Sequence, residues 1–366
     1  MAGDLTRRGF IQGAALAGAA AMMGSVQAAD EAREPIMLAM VGCAHIHVPG
    51  FINQINRRND VKVKSVWDHD TARAERRAKE LKAQVVQDVN AIWNDPQIKA
   101  VIICSETNRH PELILGAAKA GKHMFAEKPL GITGKESFEM AAAIEKANLL
   151  FTTGYFSRTL SHYLFVKEQV QKGTLGKITR VRGSNCHSGS LGHWFDTEWR
   201  WMADPKIAGV GAFGDLGTHL LDILMWLVGD VESVTADIKV VLGNYGDCDE
   251  SGEALIRFKN GITGTLAAGW VDVADPVSLI VSGTEGHIAI MNGRVYFKQD
   301  KIEGANGSTP WKEMPKTQPL PLDLFFNAVG GQSNQPLVTP REAAARVAVM
   351  EAMYRASKEK AWVTVG

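Results

Sequence analysis

Ala126-Glu127-Lys128-Pro129-Leu130-Gly131 closes a short apolar run, 123–126, and sets a carboxylate and an ammonium at its end. Similar runs lie at 36–41, 61–67, 100–104 and 149–153, and helical patterns over 71–82, 111–120 and 135–146 lie between them. Short apolar runs with no polar alternation read as strands buried on both faces. Their alternation with helices makes a parallel sheet between two helical layers, so the fold class is α/β with an N-terminal Rossmann-type domain. The ligand crevice of such a sheet lies at the carboxyl ends of its strands, where Glu127 and Lys128 sit. Pro129 restricts Lys128 to extended backbone angles, which fixes where its ammonium projects.

From about Phe156 the period changes. A helix is expected over 159–172, closing at Gly173, followed by alternating runs at 177–187, 231–241, 252–258, 263–271, 277–282, 287–291 and 295–298. Asn260-Gly261, Glu285-Gly286 and Asn292-Gly293 punctuate them as turns. This predicts an α+β second domain with a large, mostly antiparallel open sheet, one face of which is free for a partner. A C-terminal helix is expected over 339–358, and 306–321 reads as surface loop. The expected boundaries are 34–155, 156–338 and 339–366.

Gly214-Asp215-Leu216-Gly217-Thr218-His219 places an Asp and a His four residues apart at the start of an apolar helix, and so on one face of it. Lys, Asp and His together can move a proton on and off a hydroxyl while a cofactor takes the hydride. Lys128, Asp215 and His219 are therefore the candidate catalytic residues.

The turn after the first strand reads Gly42-Cys43-Ala44-His45-Ile46-His47 and keeps only the first glycine of a GxGxxG phosphate loop. Gly42 can still make the tight turn, Ala44 adds a methyl group, and His47 puts an imidazole where close packing usually wants no side chain. His45 and His47 also invite a metal, but no third ligand is evident by spacing, and no metal is expected. Asp68, about 26 residues beyond Gly42, suits a ribose 2′-hydroxyl and would repel a 2′-phosphate, or else simply caps a helix.

These motifs resemble the glucose-fructose oxidoreductase/inositol dehydrogenase/MocA (Gfo/Idh/MocA) family, in which Glu-Lys-Pro follows a Rossmann strand and Asp-x-x-x-His opens a helix of the second domain. Thr107-Asn108-Arg109-His110, 172–178 and Gly209-Val210-Gly211-Ala212 extend the likeness, which runs from about Ile36 to Val365. The resemblance implies a nicotinamide cofactor, NAD or alternatively NADP. It implies cofactor contacts at Gly42, Ala44, His45, Ile46, Asp68, Ser105, Asn108, His110, Glu127 and Lys128. It also implies hydride transfer with a sugar, polyol or glycoside hydroxyl. Tyr155 and Arg158 resemble the family's substrate-facing pair. In the polar-aromatic stretch 186–202, Trp194 and Arg200 suit a sugar ring, whose C–H faces stack on indole. Two other readings stand beside oxidation: a redox-neutral glycosidase or epimerase with transient sugar oxidation, and a binding protein that kept the fold.

The chain has 366 residues, 45% apolar and 22% charged, enough for two domains with full cores. Its 40 basic and 40 acidic residues balance, so there is no electrostatic footprint for nucleic acid. Four cysteines without CxxC spacing give neither a disulfide framework nor a metal site. Thr6-Arg7-Arg8-Gly9-Phe10-Ile11-Gln12, an Ala/Gly-rich run and Val26-Gln27-Ala28 read as a twin-arginine signal over 1–28. The run is short and mildly apolar, so no stable membrane span is expected. The partners expected are the twin-arginine export machinery, a carbohydrate-like small molecule and further copies of the chain. Periplasmic location follows, with a dinucleotide carried out already bound.

Overall fold

The computed structural model describes residues 34–366, and the export signal read over 1–28 lies outside the described residues. The strands are β1 (Ile36–Cys43), β2 (Val61–Trp67), β3 (Gln84–Val85), β4 (Ala100–Cys104), β5 (His123–Ala126), β6 (Phe151–Thr153), β7 (Ile178–Cys186), β8 (Val231–Lys239), β9 (Ser251–Phe258), β10 (Thr263–Gly269), β11 (Val277–Gly283), β12 (Gly286–Met291), β13 (Arg294–Gln299), β14 (Asn306–Pro310) and β15 (Val363–Thr364). The α-helices are α1 (Val48–Asn56), α2 (Thr71–Leu81), α3 (Asn90–Trp93), α4 (His110–Lys119), α5 (Gly134–Lys146), α6 (Ser161–Gln171), α7 (Pro205–Ala208), α8 (Ala212–Val228), α9 (Pro321–Val329) and α10 (Pro340–Glu359).

The first sheet is parallel throughout, in the order β3-β2-β1-β4-β5-β6. Alternate residues of β1 serve its two faces. Leu38 and Met40 pack with Ile52 of α1, Ala74 of α2 and Phe325 of α9; Ala39 and Val41 pack with Leu113 of α4 and Met140 of α5. The strand order reverses between β1 and β4, so the crevice opens there, above Gly42 and Ser105.

The second sheet has nine strands in the order β14-β13-β12-β11-β7-β10-β9-β8-β15, and of the neighbours only β7 and β10 run parallel. Strand β9 shows why one face stays open. Ala254, Ile256 and Phe258 are buried, whereas Glu253, Leu255 and Arg257 face outward. The buried face rests on α8, a core helix with 15 buried residues among its 17. The stretch Pro205–Val228 is long and apolar enough to cross a membrane, but 78% of its most apolar window is buried inside the protein.

Two elements depart from the pattern reading. Residues 306–310, taken as loop, form β14 at the sheet edge, where Asn-Gly-Ser-Thr-Pro pairs with β13 and packs on one side only. Helix α9 was not anticipated. It is amphipathic, starts with Pro321, and buries Leu322, Phe325 and Phe326 against the first sheet, not the second. Helix α10 opens with a capping box between Thr339 and Glu342. It packs into both cores, with Ala343, Ala344 and Val347 in the first and Val349, Met350, Met353 and Ala356 in the second.

Candidate active site

Lys128 leaves the end of β5 and is 3% exposed; its Nζ lies 2.5 Å from Oδ1 of Asp215, in the first turn of α8. Trp270 donates its indole N–H to the other Asp215 oxygen at 3.2 Å. Burial raises the Asp215 pKa, but the Lys128 ammonium and its hydrogen bond outweigh it, lowering the group to about 2. The pair is thus a lysine ammonium held by a carboxylate that stays ionised.

His219 follows one turn later on α8 and is buried between Tyr155 and Phe156, with ring centroids 6.0 and 5.3 Å away. Burial, then the Lys128 charge, lowers its pKa well below the ordinary value, so the imidazole is neutral. Its Nδ1 has no hydrogen-bond partner. His219 forms part of the wall of a cavity of about 310 Å³, lined also by Ser157, Tyr163, Asn185, Cys186, Asp275 and Ser278. These polar groups come from the turn after β6, from α6, from the end of β7 and from the entry to β11, and they were not singled out in the sequence because only tertiary packing brings them together.

The turn after β1 fits a dinucleotide at Gly42. Its φ is +78°, and a Cβ there would stand 2.6 Å from the Ser105 nitrogen, so only glycine brings β1 so close to the end of β4. Ala44 is buried, and Ile46 packs half-buried against the second core. The amides of Ala44 and His45 both donate to the Cys104 carbonyl, at 2.9 and 3.1 Å.

Asp68 sits at the carboxyl end of β2, as a ribose-binding carboxylate should, but it is already engaged. It accepts from Cys43 N at 2.6 Å, from Asp70 N at 2.8 Å and from the Arg73 guanidinium at 2.8 Å through each oxygen. Arg73 also bonds Glu106 at 2.8 Å. Asp68 is not the cap of α2; that role falls to Asp70, whose side chain accepts from Arg73 N.

Glu127 is fully buried. Its Oε1 lies 2.9 Å from His47 Nδ1 and 3.7 Å from His45 Nδ1, and its Oε2 accepts from Lys128 N at 2.9 Å. Burial opposes its charge, but both imidazoles and Lys128 favour it, so the carboxyl lies below its usual range. Burial lowers the His45 pKa to about 3.

Other expected contacts are placed elsewhere. His110 is buried behind the Glu-Lys-Pro turn, with Nδ1 3.1 Å from the carbonyls of Pro129 and Leu130, so it positions that turn. Asn108 is exposed. Tyr155, expected to face substrate, is 1% exposed, and its hydroxyl meets Thr218 Oγ1 at 2.8 Å. Arg158, its expected companion, makes a bidentate pair with Asp222 at 2.6 and 2.8 Å and reaches Glu342 at 2.9 Å. It therefore locks α8 to α10. A two-residue spacing past β6 could not show that α8 lies under both side chains. Trp194 is exposed and stacks near His187 at 4.8 Å; Arg200 lies over Tyr245 at 4.6 Å and pairs with Asp196 at 3.4 Å.

The stretch that holds them is a strap across the first domain. Trp201 donates its indole N–H to the Ala44 carbonyl at 3.1 Å, and its ring lies 6.0 Å from that of His45. Glu198 pairs with Arg77 of α2 at 3.2 Å and with Arg76. A loop of the second domain thus closes over the phosphate turn.

Residues 36–155 match a model described as an oxidoreductase family with an NAD-binding Rossmann fold, GFO/IDH/MocA, and 163–289 match the GFO/IDH/MocA C-terminal domain. Levoglucosan dehydrogenase of Pseudarthrobacter phenanthrenivorans is 30% identical over 60% of this chain and 61% of its own length. Myo-inositol 2-dehydrogenase of Thermotoga maritima is 32% identical over 49% and 52%. The matched stretches therefore span about half to three fifths of these relatives. Among solved structures, the WlbA dehydrogenase of Bordetella pertussis, in complex with NADH and UDP-GlcNAcA, shares the fold at 19% identity, with a TM-score of 0.75 over 91% of this chain and 99% of that one.

Proposed function

Since the chain belongs to the GFO/IDH/MocA oxidoreductase family, whose N-terminal domain is an NAD-binding Rossmann fold, we propose that it transfers a hydride between a sugar, polyol or glycoside hydroxyl and a tightly held nicotinamide cofactor. The observation that carries this reading is the buried Lys128–Asp215 pair, with neutral His219 one turn along α8 beside a polar cavity. The loop from Gly42 to Ile46, together with Ser105, would hold the cofactor's phosphates, with Asp68 and Glu127 near its riboses. A bound nicotinamide supplies the hydride acceptor or donor.

The chain's own groups supply the proton chemistry. The Lys128 ammonium orients a hydroxyl and stabilises the negative charge that develops on its oxygen. Asp215 keeps the Lys128 side chain aimed, and Trp270 keeps Asp215 in place. His219, neutral and unpaired at Nδ1, takes the hydroxyl proton.

Export through the twin-arginine route is part of the proposal, supported by Arg7-Arg8 and the small-residue site at 26–28. So is assembly of further copies through the open face of the second sheet. A second reading is favoured by the strap. With Trp201 and Glu198 closing over the turn, a cofactor that cannot exchange must be reset in place, by a second substrate or by returning its hydride in a redox-neutral reaction.

Acid extraction of natively purified protein, followed by an enzymatic assay for NAD and NADP, tests the central claim. About one dinucleotide per chain is expected. Apo-protein that cannot be loaded with either would overturn it.

A further inference from the structure

The turn after β1 carries imidazoles where a phosphate loop carries glycines, and the fold brings a carboxylate to them. Ligand atoms of His45, His47 and Glu127 all lie within 4.8 Å of one another. We infer that these three residues form a binding site for a divalent transition metal of the Zn²⁺ class, at the carboxyl ends of β1 and β5.

The spacing suits such an ion. Zinc bonds of 2.0–2.2 Å in a tetrahedral field set neighbouring ligand atoms about 3.4 Å apart. The two imidazole-to-carboxylate separations here, 2.9 and 3.7 Å, bracket that value, so small side-chain rotations would admit an ion. Two histidines and one carboxylate are a familiar catalytic zinc donor set, with one position left for water or substrate.

The surroundings are those of a built site. His45 and Glu127 are 2% and 0% exposed. The second Glu127 oxygen is held by Lys128 N, which leaves Oε1 for the imidazoles. His45 Nδ1 is the unprotonated ring nitrogen, since it accepts from the His47 amide at 3.3 Å, a long hydrogen bond that an ion at this nitrogen would replace. His47 is the open side: its side chain is 36% exposed and lines a separate cavity of about 330 Å³ with Gly50, Phe51, Gly154 and Leu322. An ion and a water ligand can enter from there.

This inference does not rest on the dinucleotide reading. It shares His45 and Glu127 with that reading, so metal and dinucleotide contents are measured separately on the same preparations.

The test uses the whole chain, stripped with chelator and dialysed against Zn²⁺ or Co²⁺ alone. About one equivalent per chain is expected by elemental analysis, and X-ray absorption of the loaded wild type should resolve two imidazole ligands and an oxygen donor. His47→Ala, at the most exposed ligand, should lower metal affinity roughly 100-fold or more, at or beyond the upper end of what losing a mere outer-shell partner costs. It should also abolish the visible Co²⁺ spectrum of a low-symmetry site. Failure to retain metal, a loaded spectrum without two imidazoles, or unchanged affinity in His47→Ala would each overturn the site and leave a hydrogen-bonded His–Glu pair. If His47→Ala does not fold, the ligand count on the wild type decides.

Discussion

At the scale of single residues, the proposed proton transfer rests on Lys128 and His219, which flank Asp215. Lys128→Met and His219→Ala should each reduce hydride transfer by about 10²-fold or more, the scale of a positioned acid–base group, while dinucleotide stays bound. The double variant should lose far less than the product, because both groups serve one proton transfer. Single-turnover absorbance at the nicotinamide band, with a panel of polyols, aldoses and glycosides, measures both effects; near-normal rates in both single variants would refute the assignment. Asp68 makes a different kind of prediction. Its carboxylate neutralises Arg73 beside the ribose position, so Asp68→Ala removes a repulsive charge and also frees a guanidinium that suits a 2′-phosphate. The NAD-to-NADP affinity ratio should fall by about tenfold or more. No change in titrations with both cofactors would mean that Asp68 serves only the turn. Lys128, Asp215 and His219 were legible in the sequence because proline, strand end and helical spacing fix their local geometry. The contacts that hold Tyr155 and Arg158 were not legible, because their partners, Thr218 and Asp222, are distant in sequence.

At the scale of elements, the strap formed by the stretch 186–202 is proposed to govern how freely the crevice exchanges its contents. Trp201 and Glu198 make its polar attachments to the turn after β1 and to α2, an indole hydrogen bond and a pair of arginines. Trp201→Ala combined with Glu198→Ala should raise the release rate of bound dinucleotide by roughly tenfold or more, as two contacts of about 1 kcal/mol each are lost. Release into a trapping dehydrogenase reads this directly, and an unchanged rate would show that the strap is not the gate. The parallel strands β1, β2, β4 and β5 and the helix α8 were readable, since their apolar runs are long and bounded. Helix α9 and strand β14 were not. Nine residues with one apolar stripe, or five turn-forming residues at an edge, acquire their state from what they pack or pair with.

At the scale of the molecule, buried neutral histidines make stability depend on acid. The folded His45 has its pKa lowered to about 3, and that of His219 lies well below its ordinary value, both first by burial. Unfolded histidine titrates near 6.5, so between that pH and the folded values the unfolded chain binds more protons. The stabilisation is complete above about pH 6.5 and is lost as pH falls toward the folded pKa, by roughly 1 kcal/mol per pH unit for each histidine. Asp215, lowered to about 2, adds a loss confined to the window below about pH 4. Denaturant unfolding between pH 7 and 5 should show this slope, to which His110, also lowered by burial, adds, and His219→Gln should reduce it by one histidine's share; a flat profile would mean these imidazoles are charged in the folded state.

Helix α10 belongs to both cores, and almost every element it covers precedes it in the chain. Until residues 340–359 emerge, the first sheet lacks Ala343, Ala344 and Val347 from one covering layer, and the second lacks Met350 and Met353. A chain cut short before this helix leaves apolar surface open on both halves. The arrival of this one helix, rather than of either sheet, is the event that closes both cores, so a copy cut short before it has no finished half to be mistaken for a working one.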